Sequence, residues 1–271
     1  MLDTTTMQLK TIALDQPAPG VVVATLNRPD RLNAMTFQMF DDLAALPLIL
    51  RDEDDMRALI LTGAGCTFCA GFDLDENGRI TELGVRSFLR FQELATGALA
   101  SIRALPVPVI AAVNGAASGG GMALALCADI RLASPAARIN AAFVKTGLSV
   151  GELGTSWQLT RLVGPGRSAE IAYTGRMVEA EEAERIGLVN RIVPAERLLD
   201  EALALAARVA SNSPGGVRLS KRALQANQEV TSYAAALELE NRGQALLTRG
   251  EDMPEALSAF KERREPQFTG R

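Results

Sequence analysis

The chain has 271 residues, 48% of them hydrophobic and 22% charged, with a formal net charge of −4. That length can bury a substantial core, and the composition is that of an ordinary globular protein rather than a disordered one. The acidic balance argues against a broad nucleic-acid footprint, and the lack of any histidine excludes Ser-His and Cys-His nucleophilic mechanisms and histidine metal sites.

The opening "MLDTTTMQLKTIALDQ" has no basic region ahead of an apolar core, so no secretory leader is expected and a cytoplasmic location is. "GVVVATLNRP" (Gly20–Pro29) reads as a strand closed by a turn. "TFQMFDDLAALPLILRDEDD" has helical spacing, with Phe37, Phe40, Leu43 and Leu46 on one face, and Pro47 is expected to bend or break it. "MRALILTGAG" (Met56–Gly65) is a short buried strand that delivers the loop "CTFCAGFDLDE". Cys66 and Cys69 have redox-type spacing, but no second pair completes a structural zinc site, and small apolar residues in a reduced compartment fit as well. "ITELGVRSFLRFQELATGALASIRAL" predicts one long helix, and "PVPVIAAVNG" a buried strand ending in a glycine turn.

No charge occurs between Ala104 and Ala128, a stretch long enough to cross a bilayer. Pro106, Pro108, Asn114, Ser118 and four glycines would leave backbone groups unsatisfied in lipid, so a buried strand, a turn and a buried helix fit better. "MALALCAD" continues as helix, "IRLASPAARIN" as strand and loop, "SWQLTRLVGPGRSAEIAYTG" and "EAEEAERIGLV" as helices, and "NRIVP" as a short strand. From Arg197 the pattern is helical throughout, without internal repeats. The shift near Pro194 predicts an α/β core over 1–195 and a helical region over 196–271.

The three glycines of "AASGGGMAL" precede a helix, where open N–H groups favour a phosphate or another oxygen bearing negative charge. No Gly-Lys-Ser/Thr follows, and the dinucleotide spacing is absent, so neither nucleotide motif is formed. Ser118 has no base. Two strand ends, "LTGAGCTFCAGFDL" and "AVNGAASGGGMAL", instead form a matched pair of small-residue loops, and two N–H groups aimed at one point make an oxyanion hole. Close packing of helix on strand would also account for the glycines.

"LNRPDRLNAM", "FCAGFDL", "PVIAAVNGAASGGGMALALCADIRLAS", "TGRMVEAEEAERIGLVNRIVP" and "EALSAFKERREPQF" together resemble the enoyl-CoA hydratase/isomerase (crotonase) superfamily, over nearly the whole chain and in order. The resemblance implies an α/β fold with a ββα-spiral core, a helical C-terminal trimerisation region, and trimers that can pair into hexamers. It implies an acyl-CoA thioester as ligand, with no membrane or nucleic-acid partner and no cofactor apart from the coenzyme A of the substrate. Its oxyanion donors map to the amides of Phe72 and Gly120, with Gly119 and Gly121 keeping side chains out of the thioester's path. Ala70, Asp73, Leu74, Gly119 and Phe143 fall at substrate-binding positions. Arg28 and Arg31 lie on the loop that in relatives approaches the CoA nucleotide, and Arg31 is the phosphate candidate.

The two glutamates of a family hydratase map to Ala123 and Phe143, so both are absent here. Lys145 is nearby and reads as a surface or ion-pair lysine. Glu152 in "GLSVGELGTSW" remains, and an acid in this segment is the base in some family isomerases; alternatively it opens or caps the next helix. A single carboxylate suits double-bond isomerisation. Hydration of a 2-enoyl-CoA and a catalytically silent acyl-CoA-binding protein are the alternatives. Asp73 is expected to cap a helix or touch ligand, Asp129 to be structural, and the stripe of Ala256, Leu257 and Phe260 to wall the acyl pocket or contact a neighbouring subunit.

Overall fold

Parallel strands covered on both faces have no solvent side, so they read as uninterrupted apolar runs. Three such runs build the centre of the molecule, in a computed structural model that describes residues 9–51 and 55–271. The first eight residues of the stretch read for a leader lie outside the described residues. An edge strand β1 (Ile12–Ala18) pairs antiparallel with β2 (Val21–Leu26), and a buried helix α1 (Phe37–Arg51) leads to β3 (Ala58–Gly63). After α2 (Asn77–Glu82) and α3 (Val85–Arg103) come β4 (Val109–Val113), the short β5 (Ala116–Ser118) and α4 (Gly120–Cys127). β6 (Ile130–Ala133), β7 (Arg138–Asn140), α5 (Thr155–Val163), α6 (Pro165–Thr174), β8 (Val178–Glu179), α7 (Ala180–Arg185) and β9 (Arg191–Ile192) complete the α/β part. Four helices follow: α8 (Leu198–Ala210), α9 (Pro214–Ala226), α10 (Tyr233–Leu247) and α11 (Asp252–Glu262).

The main sheet has six strands in the order β1-β2-β3-β4-β6-β9, parallel except at β1, and a second sheet runs β5-β7-β8. Side chains alternate across a strand, and this sorts the core into two layers. Val22, Ala24, Leu59, Leu61, Val109 and Ala111 face the layer holding α1, α3 and α4. Val21, Val23, Ala58, Ile60, Ile110 and Ala112 face α8 through Ala202 and Ala206. The expected division at 195 therefore precedes a helix that lies against the sheet.

Three local expectations change. Pro47 lies inside α1 and the helix continues to Arg51; Pro47 is buried there, and the apolar face of Leu43, Leu46 and Leu50 holds the turn in place. The long helix predicted across Ile80–Leu105 is two, separated at Leu83 and Gly84, with Leu83 extended. A strand over Ile12–Ala18 was not legible, because Gln16 breaks the inward apolar row after Leu14, and the outward face carries Asp15 and Pro17, as suits an edge. Among the described residues no helix is long and apolar enough to cross a membrane.

Candidate active site

Two loops at the carboxyl ends of β3 and β4 meet main chain to main chain. Cys69 N–H donates to Ala116 C=O at 3.0 Å, and Ser118 N–H donates to Cys69 C=O at 3.0 Å. Side-chain amides of the buried Asn33 and the half-buried Asn114 hold the first loop in shape. Asn33 donates to Ala64 C=O (2.9 Å) and Thr67 C=O (2.7 Å), and Asn114 donates to Gly63 C=O (2.9 Å) and Gly65 C=O (3.0 Å). At Gly121 a Cβ would stand 2.1 Å from Cys69 O, so this glycine is required by the contact between the loops. At this glycine the close packing weighed as the other reading is present. Gly119 turns the chain into α4 at φ +50°, a region that glycine enters without steric cost.

The neighbours of the two predicted donors are engaged, and the donors are not. Met35 N–H donates to Gly71 C=O (2.7 Å) and Asp73 N–H to Met35 C=O (2.8 Å), while Gly119 N–H donates to Asn140 C=O (2.9 Å). Among the described residues, no internal hydrogen bond takes up the N–H of Phe72 or of Gly120. Gly120 opens α4, where the first N–H groups have no partner within the helix. A Cβ built on Gly71 would lie 3.7 Å from Gly120 N, which puts the two segments side by side. Pairs of free amides beside each other are suited to receiving a developing oxyanion.

Glu152 sits on the turn leading into α5. Leu153 (φ +50°) and Gly154 (φ +77°) both adopt the left-handed conformation, and Glu152 C=O accepts from Thr155 N–H at 2.8 Å. A leucine held there is strained, a condition that clusters at functional sites. No side chain caps α5, so the capping role considered for Glu152 is not the one its carboxyl plays. The carboxyl is half-buried and accepts from Gln92 Nε2 at 3.4 Å. Burial pushes its pKa above the ordinary value, partly opposed by the Gln92 amide. The turn abuts the first loop pair: Leu153 Cδ1 is 3.7 Å from where a Gly120 Cβ would be.

Ala123 and Phe143 are both buried, and Phe143 Cε1 lies 3.8 Å from where a Gly119 Cβ would be. An aromatic ring therefore stands beside the glycine run where a carboxylate would make the site polar. Lys145 is exposed and packs against Gly175, in keeping with its surface reading.

Asp73 is buried and committed. Its carboxylate meets Arg28 Nη1 at 3.0 Å and Arg31 Nη2 at 3.2 Å, and accepts Asp75 N–H at 3.1 Å, capping the short turn Leu74–Glu76. Burial alone would raise its pKa, but the Asp75 amide and the two guanidinium groups outweigh it and hold the carboxyl below its usual range. Arg31 is also paired with Asp75, so a phosphate would have to compete for it. Ala70 is half-buried with its N–H given to Leu32 C=O, and Leu74 is exposed. Cys66 and Cys69 are free thiols, the first exposed and the second buried, and burial pushes Cys69 up to about 12, which disfavours its thiolate at neutral pH.

Two features escaped sequence reasoning. Phe37, Phe40, Phe72, Phe88 and Phe91 form one aromatic cluster, with Phe91 at 4.4 Å from Phe37, 5.4 Å from Phe40 and 6.2 Å from Phe72. Gln92, next to Phe91, reaches Glu152 across 60 residues of sequence. The helical spacing of Phe88 and Phe91 announces an apolar face, but nothing local marks the glutamine.

The family model for enoyl-CoA hydratase/isomerase matches residues 17–271. A Mycobacterium bovis protein named "Probable enoyl-CoA hydratase echA12" is 43% identical over 265 residues, covering 95% of this chain and 92% of its own. A 1,2-epoxyphenylacetyl-CoA isomerase of Escherichia coli is 40% identical, covering 93% and 96%. The crystal structure of an enoyl-CoA hydratase from Bacillus anthracis matches with a TM-score of 0.91 at 34% identity, over 97% of this chain and 100% of that one. A family model spanning nearly the full length, with relatives at this identity and a common fold, leaves one assignment: the chain is an enzyme of the enoyl-CoA hydratase/isomerase (crotonase) family.

Proposed function

We propose that this enzyme isomerises the double bond of an enoyl-CoA, with Glu152 as its single acid/base. The observation that carries the reading is the half-buried Glu152 carboxyl, set by a left-handed turn beside Gly120 while Ala123 and Phe143 leave apolar side chains where a hydratase would hold two glutamates. The carboxylate removes a proton from C2 of a 3-enoyl thioester. The electron pair passes into the carbonyl, and the resulting oxyanion takes hydrogen bonds from the N–H groups of Phe72 and Gly120. Protonated Glu152 then returns the proton at C4, giving the 2-enoyl thioester. Loss of one such donor costs roughly 3 kcal/mol of transition-state stabilisation. Coenzyme A arrives as part of the substrate, and the steps need no separate cofactor.

Ala70, Leu74, Gly119 and Phe143 fall along the acyl-CoA path in this reading; Asp73 anchors Arg31, the candidate for the CoA phosphate. Hydration of a 2-enoyl-CoA is the second reading, favoured by the hydratase names among the relatives, but a lone carboxylate would have to position water and move the proton alone. The Escherichia coli relative, by name an isomerase, sits with the first reading. The enzyme is read as cytoplasmic, and as a homotrimer or dimer of trimers built through 196–271, where Leu224, Tyr233, Leu246 and Phe260 are 69–85% exposed.

The test offers 3-enoyl-CoA and 2-enoyl-CoA to the wild type and to Glu152→Gln. Turnover of only the 3-enoyl thioester, lost in the variant, is expected. Hydration of the 2-enoyl thioester by the variant would remove Glu152 from the mechanism, and acyl-CoA binding without turnover by the wild type would mark a silent binder.

A further inference from the structure

A group that takes a proton and later returns it must be held in place in both of its charge states. We propose that Gln92 is a positioning residue for Glu152, an α3 amide that orients the carboxyl toward the Phe72 and Gly120 donors through the whole proton cycle. The inference rests on the reading of Glu152 as acid/base.

The placement comes from one helix. Phe91 packs on Phe72, the residue that carries one oxyanion donor, with ring centroids 6.2 Å apart. The next residue, Gln92, points its Nε2 at Glu152 Oε2 from 3.4 Å. Consecutive residues of α3 thus touch both the oxyanion side and the acid, and the helix links the two. The 3.4 Å separation is long for a hydrogen bond, and such contacts tighten when substrate fills a site.

The chemistry of the amide suits the task. Its NH2 donates to an ionised carboxylate, and its carbonyl can accept from the carboxylic acid after a half-turn of the amide. A lysine or arginine would pin Glu152 as the anion, and a second acid would repel it. Bound at Oε2, Gln92 leaves Oε1 to meet the substrate.

Charged groups on the surrounding elements are turned away or otherwise engaged. Arg90 and Glu93 of α3 are exposed, α4 has no charged residue, Lys145 packs on Gly175, and Arg161 of α5 lies 3.7 Å from the Trp157 ring centroid. Burial and the Gln92 amide are what act on the carboxyl.

The experiment compares wild type, Gln92→Leu, Gln92→Asn and Gln92→Glu, with Glu152→Gln as reference, reading kcat and KM for 3-enoyl-CoA against pH. Glu152 is also titrated directly by carboxyl NMR. Gln92→Leu should lower kcat roughly tenfold with KM within about twofold, and move the acidic limb of the kcat profile upward by about one pH unit. Gln92→Glu should move that limb further, and Gln92→Asn should recover part of the loss. An unshifted Glu152 titration in folded Gln92→Leu, or a loss of rate with no movement of the limb, overturns the inference. If Gln92→Leu does not fold, the Gln92→Glu limb decides in the same way. Unimpaired turnover by Glu152→Gln instead removes the acid/base reading itself, so the two failures are distinguishable.

Discussion

At Glu152 the cost of burial falls on the charged form, and that has a sign that stability measurements can read. Its pKa in the folded chain lies above the ordinary 4.5, so the folded state holds the proton more tightly than the unfolded state. The neutral form is fully tolerated below pH 4.5, and stability is lost as pH rises through the raised folded value. Glu152→Gln should therefore match the wild type in thermal stability near pH 4 and exceed it at neutral pH; equal melting curves at both would contradict the burial argument. The glycine run makes a second residue-scale case. Gly121→Ala places a methyl 2.1 Å from the Cys69 carbonyl and should cost about 3 kcal/mol in urea unfolding, because main chain has to move. Reading the sequence left this glycine between ligand access and close packing, since a clash between two loops distant in sequence has no local signature.

Element by element, legibility followed burial. β2, β3 and β4 were readable because both their faces are covered, and an unbroken apolar run needs no partner to be recognised. β1, exposed along one face, and the Leu83–Gly84 break were not, because each is decided by what packs beside it. The site divided the same way. Phe72, Gly120 and Glu152 were singled out through the family resemblance, whereas Gln92 and the phenylalanine cluster depend on where α3 lies over α1. Phe91→Ala should cost about 2–4 kcal/mol by urea unfolding, since its ring centroid lies within 6.5 Å of four others. The acid Asp129, expected to be structural, pairs with Lys221 of α9 at 2.8 Å, and that amine also donates to Val107 C=O at 2.8 Å. Burial pulls the Lys221 pKa down, partly offset by Asp129. Removing a buried partner costs roughly 3–5 kcal/mol, so Lys221→Ala should release α9 from the core, seen as faster amide exchange across Pro214–Ala226.

Over the whole molecule, the C-terminal helices leave several large apolar side chains exposed. Phe260 is 85% exposed, Tyr233 78% and Leu224 70%. The Ala256–Phe260 stripe is accordingly divided: Ala259 is buried beneath it while Phe260 faces outward, so contact with a neighbouring subunit suits Phe260 better than a pocket wall. Under the oligomer proposed above, light scattering should give three or six times the 28.8 kDa chain mass, and Phe260→Asp should shift it toward smaller species. A monomeric wild type at micromolar concentration would refute that arrangement.

The joint between the Cys69 and Ala117 segments is built from peptide groups alone. Peptide groups are common to every residue type, so side-chain exchanges that spare Gly121 and the bracing amides of Asn33 and Asn114 leave the spacing of the two free N–H groups intact. An acid can then be gained or lost at positions such as Ala123, Phe143 or Glu152 without rebuilding the pair of free amides. Under the proposed mechanism, a new reaction is reached by moving one carboxyl.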